Sequence, residues 1–105
     1  MIKPPTKMLV IFVDETDTSG DLPLYEAILR RMVQLNVAGA TVNAGIMGFG
    51  SHNHIHRKRL FGMPDDRSVT ITVVENADKL REVLKEIRPM VEEGLVILLD
   101  CEVVE

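Results

Sequence analysis

Residues 45–60, Gly-Ile-Met-Gly-Phe-Gly-Ser-His-Asn-His-Ile-His-Arg-Lys-Arg-Leu, gather side chains suited to holding an anion or a metal. His56, Arg57, Lys58 and Arg59 form an unbroken basic run. No Asp or Glu occurs between Ala27 and Pro64, so no sequence-local carboxylate neutralises that run. Gly45, Gly48 and Gly50 precede it. Glycine exposes its amide and reaches conformations closed to other residues, so a phosphate could accept hydrogen bonds from Gly48 and Gly50 while the cations balance its charge. Arginine grips phosphate at two points and lysine adds a mobile charge. The spacing is not that of a P-loop, and the competing reading is a solvated basic loop. Phe49, between two glycines, can stack on a base or anchor the loop root in the core. The candidate ligand-binding set is therefore Gly45, Gly48, Phe49, Gly50, His56, Arg57, Lys58 and Arg59.

The same stretch offers a second chemistry. An extended segment would place His52, His54 and His56 on one side, and a helix would bring His52 and His56 to one face. Imidazole suits zinc, copper or nickel. No cysteine is near, Asp65 and Asp66 are the nearest acids after the histidines, and adjacent cations oppose metal binding. A third chemistry, general-base catalysis by His56, would need a group to orient the imidazole. The sequence pairs none with it. Asp14, Glu15 and Asp17 could approach the loop in an oligomer, but an acidic turn at a strand end accounts for them. The chain is expected not to be an enzyme, and the sequence names no cofactor.

The bulk properties narrow the classes. A chain of 105 residues fits one domain. Residues 1–7 read as a loose tail and residues 8–105 as that single domain. Its formal net charge of −4 argues against a general nucleic-acid binder, although a local basic loop can still meet an anionic small molecule. No apolar run has the length of a membrane span, and the first residues lack the apolar segment of a signal peptide, so a soluble cytoplasmic protein is expected. Cys101 is the only cysteine and reads as a small core residue of an apolar strand.

Scaffold elements flank the loop. Residues 8–13 are a continuous apolar run of strand length. A polar turn comes next, at 17–21. Pro23 then suits the first turn of a helix whose apolar face is Tyr25, Ile28, Leu29, Met32 and Val33, ending near Asn36. From Gly39, apolar Ala40, Val42, Ala44 and Ile46 alternate with Thr41, Asn43, Gly45 and Met47, the period of a second strand. Residues 48–66 show no sustained period, as expected of a long functional loop. Val69, Ile71 and Val73 mark a third strand. Asn76 then caps a helix with the stripe Leu80, Val83, Leu84, Ile87 and Val91. Pro89 ends or kinks it, and Gly94 separates it from a fourth strand that runs from Leu95 through Cys101 and Val103. The order is that of an α+β, ferredoxin-like βαββαβ fold with two helices on one face of a four-stranded antiparallel sheet. The first and fourth strands are apolar at nearly every position, so their other face predicts a closed oligomer.

The blocks Pro-Leu-Tyr-Glu-Ala-Ile at 23–28, Ala-Gly-Ala-Thr-Val at 38–42 and Gly-Ile-Met-Gly-Phe-Gly at 45–50, with Ile55, His56 and Leu60 beyond, resemble the domain of unknown function 190 family over almost the whole chain after the tail. That family is similar to PII signalling proteins and to CutA proteins. The resemblance implies a PII-like ferredoxin-fold homotrimer, ligand sensing at subunit clefts beside the loop between strands two and three, and a regulated partner protein. PII proteins carry a second glycine- and lysine-rich loop after the second helix; the matching connection here, residues 88–94, is acidic and poor in glycine. The loop holds no tyrosine. On residues and resemblance together, the expected function is a PII-like module sensing an anionic small molecule such as an adenine nucleotide. The alternative is a trimeric CutA-like divalent-metal binder using His52, His54 and His56.

Overall fold

In a computed structural model that describes residues 2–49, 56–57 and 67–105, four long strands make one sheet. In chain order the elements are β1 (Thr6–Asp14), a small ribbon of β2 (Thr18–Ser19) and β3 (Leu22–Pro23), then α1 (Leu24–Gln34) and β4 (Thr41–Ala44). A second ribbon is made by β5 (Met47–Gly48) with β6 (His56–Arg57), and after it come β7 (Ser68–Asn76), α2 (Ala77–Ile87), a 3₁₀ turn (Arg88–Met90) and β8 (Leu95–Cys101). The sheet order is β4-β7-β1-β8, antiparallel throughout. This is the ferredoxin-like βαββαβ arrangement, as expected.

Alternation along the strands decides which face meets the helices. Leu9, Ile11 and Val13 of β1 and Val69, Ile71 and Val73 of β7 are buried, as are Ile28 and Met32 of α1 and Leu80, Val83 and Ile87 of α2. Burying each such side chain contributes roughly 1.5–3 kcal/mol, and that gain holds both helices to the sheet. Arg31 of α1 and Glu86 of α2 add an ion pair across the helix pair.

The helix ends are set by local hydrogen bonding. Pro23 stands at the N-cap of α1 and not inside its first turn. It offers no side-chain cap; the Leu24 amide donates instead to the Asp17 carbonyl at 2.7 Å, bringing the turn into the helix start. At the other end Asn36 takes φ 60°, its amide donates to Val33 and the Val37 amide donates to Met32, each at 3.1 Å. These bonds close the helix in a Schellman motif, with asparagine filling the left-handed position usual for glycine. Asn76 caps α2 as its sequence position predicts, its Oδ1 accepting from the amides of Asp78 and Lys79. Its side-chain amide also donates to the Lys3 carbonyl at 2.7 Å, and the Ala77 amide donates to the Pro5 carbonyl at 2.9 Å.

Two strands are shorter than the sequence predicts. The second is expected to reach Met47; β4 ends at Ala44, paired with Val69, and the ladder goes one step further only through the Gly45 amide donating to the Ser68 carbonyl. The fourth is expected to continue through Val103; β8 ends at Cys101, opposite Thr6, where β1 itself begins. Gly94 precedes β8 with φ 142°, and a Cβ there would lie 2.3 Å from the Phe12 carbonyl oxygen. Only glycine lets the chain enter the sheet edge so close to β1.

The face away from the helices is divided. In register, Met8 lies opposite Leu99, Val10 opposite Ile97 and Phe12 opposite Leu95, making an apolar half on β1 and β8. Leu95, Ile97 and Leu99 are exposed. Thr41 and Asn43 of β4, opposite Thr72 and Thr70 of β7, make the other half polar.

Candidate functional site

The second ribbon brings together the two parts of the stretch singled out in the sequence. Met47 pairs with Arg57 and Gly48 with His56, so the glycine block and the start of the basic run lie side by side. Gly50, His52, His54, Lys58 and Arg59 lie outside the described residues, as do the side chains of His56 and Arg57. The long functional loop and the histidine metal set expected from the sequence therefore both fall mainly outside the described residues. Among the described residues no group of three His, Cys, Asp or Glu is placed to hold a metal.

Gly45 and Gly48 act differently from the conformational role expected of them, since neither takes a positive φ. Gly45 is a point of close approach. Its amide donates to the Ser68 carbonyl at 2.7 Å, and a Cβ there would stand 3.2 Å from that oxygen. Among the described residues nothing lies within 4 Å of where a Cβ on Gly48 would stand. Phe49 is 72% exposed, which removes the reading in which it anchors the loop root in this chain's core and leaves its ring free to meet a ligand or another chain. Ile46 and Met47 beside it are exposed as well.

A groove of about 630 Å³ opens beside β4 and β7, lined by polar Thr41, Asn43 and Thr72 and by Gly39 and apolar Ile2, Ala38, Ala40 and Val74. Its hydroxyl and amide groups are hydrogen-bonding partners for a polar ligand. Gly45, at the loop root, continues the line of Thr41 and Asn43 along the strand. Glu75 fixes its wall from the opposite face: only 5% exposed, it accepts from the Ala38 amide at 2.9 Å and from the Asn76 amide at 2.9 Å, tying down the connection that leads into β4. A larger hollow of about 820 Å³ lies between the two ends of the chain. Asp100, Glu102 and Glu105 line it, an arrangement that repels anions.

The loop's far root holds a contact that the sequence does not announce. Arg67 donates through Nε and Nη2 to the two carboxylate oxygens of Glu15, at 2.9 and 2.8 Å. The Arg67 hydrogen bond holds the Glu15 carboxyl below its ordinary value, against an opposing effect of burial. The acidic turn, which on sequence could approach the loop in an oligomer, meets the loop root through Glu15 within one chain. The pair is separated by 52 positions, and only the antiparallel register of β1 with β7 brings it together.

Known proteins resemble the chain over most of its length. The family model DUF190, described as an uncharacterized ACR, matches residues 6–103. A UPF0166 protein of Aquifex aeolicus is 31% identical over 98 residues, covering 93% of this chain and 92% of that protein. Among solved structures, CPII, a nitrogen regulatory PII-like protein from Thiomonas intermedia K12 bound to ADP, AMP and bicarbonate, aligns with a TM-score of 0.70 at 22% identity, covering 93% of this chain and 87% of that one. The divalent ion tolerance protein CutA1 from Ehrlichia chaffeensis aligns with a TM-score of 0.65 at 12% identity, covering 95% and 84%. These two likenesses are of fold.

Proposed function

The chain belongs to the DUF190 family, and we propose from that premise that it is a PII-like regulatory module, not an enzyme, which senses an anionic small molecule of the adenine nucleotide class. The observation that carries the reading is the meeting of Gly48 with His56 and of Met47 with Arg57 in one ribbon, shortly after β4, whose Thr41 and Asn43 line a groove of mixed polar and apolar character. A nucleotide base and sugar suit the groove's hydroxyls and the ring of Phe49; the phosphates suit the basic run that begins at His56. CPII, a protein of the same fold, is described as bound to ADP, AMP and bicarbonate, which makes that ligand class the first to try.

The assembly in this reading is a homotrimer in the cytoplasm. Its support is the apolar half of the free sheet face, where Met8, Val10, Phe12, Leu95, Ile97 and Leu99 form one continuous patch. Among the described residues no helix is long and apolar enough to cross a membrane. The loop then reports ligand occupancy to a partner protein. Native mass spectrometry of gently purified protein tests both parts. A trimer that gains the mass of ADP or AMP supports the proposal; a monomer that gains none in nucleotide excess overturns it.

A further inference from the structure

The chain leaves the sheet at Arg67 under restraint from two sides. The Arg67 carbonyl accepts from the Glu15 amide and the Ser68 carbonyl from the Gly45 amide, each at 2.7 Å. These bonds extend the two ladders one step past their last registered pairs, Asp14 with Ser68 and Ala44 with Val69. The side chains then repeat the first link, through the two-point contact of Arg67 with Glu15.

Glu15 is itself part of a closed turn. Asp17 Oδ2 accepts from the Asp14 amide at 3.0 Å, the Asp17 amide donates to the Asp14 carbonyl at 3.1 Å, and Asp14 Oδ1 accepts from Thr16. The Asp17 carbonyl in turn accepts from Leu24, the first residue of α1. An unbroken series of bonds therefore runs from the loop root to the helix start.

We infer that the Glu15–Arg67 pair is a latch that sets the direction in which the chain leaves the sheet and couples that exit to the N-terminus of α1. A guanidinium fork on a carboxylate fixes orientation as well as distance, which a lysine in the same place would not do. The two side chains are only 29% and 23% exposed, so salt screens the pair less than it screens an open surface pair. Its opening alters both ends of the series together. The inference needs no ligand and stands apart from the sensing role proposed above.

Hydrogen exchange of the full chain tests it, read at the amides of Gly45 and Leu24, with those of Leu9 and Ile71 as core references. Glu15→Ala and Arg67→Ala should each speed exchange at Gly45 and Leu24 on the order of fivefold, the scale of one ion pair, while the core amides keep their rates. The exchanged pair, Glu15→Arg with Arg67→Glu, should recover slow exchange at both. The latch is overturned if Gly45 or Leu24 keeps its wild-type rate in both single variants. It is equally overturned if the core amides accelerate by the same factor, or if the exchanged pair fails to recover.

Discussion

The backbone of Gly48 pairs with that of His56, which sets the glycine turn and the first residue of the basic run at a single ladder position. The proposed anion site is built on that pairing, and nucleotide binding by arginine variants tests it.

Replacing Arg57 and Arg59 together with alanine should weaken ADP binding about tenfold or more, since a hydrogen bond to a charged group contributes about 1.5–3 kcal/mol. The dependence on salt should fall with it, because each removed cation removes a screened attraction. Alanine at His52 and His54, which stand outside the proposed phosphate-binding set, should weaken nucleotide binding much less. Titration calorimetry against ADP and against zinc separates the alternatives: the histidine variant losing zinc while the arginine variant keeps ADP would favour the metal reading.

Ile97→Asp should dissociate the assembly. Ile97 stands opposite Val10 on the free sheet face and is already partly exposed in a single chain, so an aspartate there is tolerable in a monomer. Between packed sheets it would be a buried, unpaired charge. Sedimentation should show monomer for the variant and oligomer for the wild type, and an unchanged oligomer would place the interface elsewhere.

Gly94→Ala should lower stability by about 2 kcal/mol or more, because its added Cβ meets a carbonyl and its φ of 142° is one that side chains avoid. Gly39→Ala, with open space around its Cβ and no positive φ, is the control and should leave the melting temperature nearly unchanged.

Acid should weaken the fold partly through Glu15. Its carboxyl is held below the ordinary value of 4.5, so the folded state binds its proton less readily than the unfolded state does. The stabilisation from this group is fully present above that ordinary value and is lost as pH falls through the lower folded value. Urea denaturation of wild type and Glu15→Gln should therefore differ most at neutral pH and converge under acid. A difference that grows as pH falls would contradict the assignment.

Period and punctuation make most of the scaffold readable. The alternation of Val69, Ile71 and Val73 marks the buried face of β7, and Asn76 and Pro89 mark helix limits through the chain close to them in sequence. The partnership of Glu15 with Arg67 is not readable, since it depends on strand register across 52 positions. Buried Glu75 is equally hidden: the amides of Ala38 and Asn76, from which its carboxylate accepts, explain a charged group there, and the first of them comes from a distant part of the chain. The conformational role that the sequence suggests for the glycines is not the one Gly45 fills. Gly45 is needed for a close carbonyl, and no unusual dihedral is involved.

Asn76 grips the carbonyls ahead of β1, and this has a practical consequence for anyone making the protein. Because Lys3 and Pro5 are tied to the start of α2, with Ile2 at the lip of the groove, a purification tag fused ahead of Met1 would emerge beside the very surface whose ligand is sought. A polyhistidine tag there would bring foreign imidazoles to that surface and counterfeit a metal response. Ligand screens should use protein from which such a tag has been cleaved.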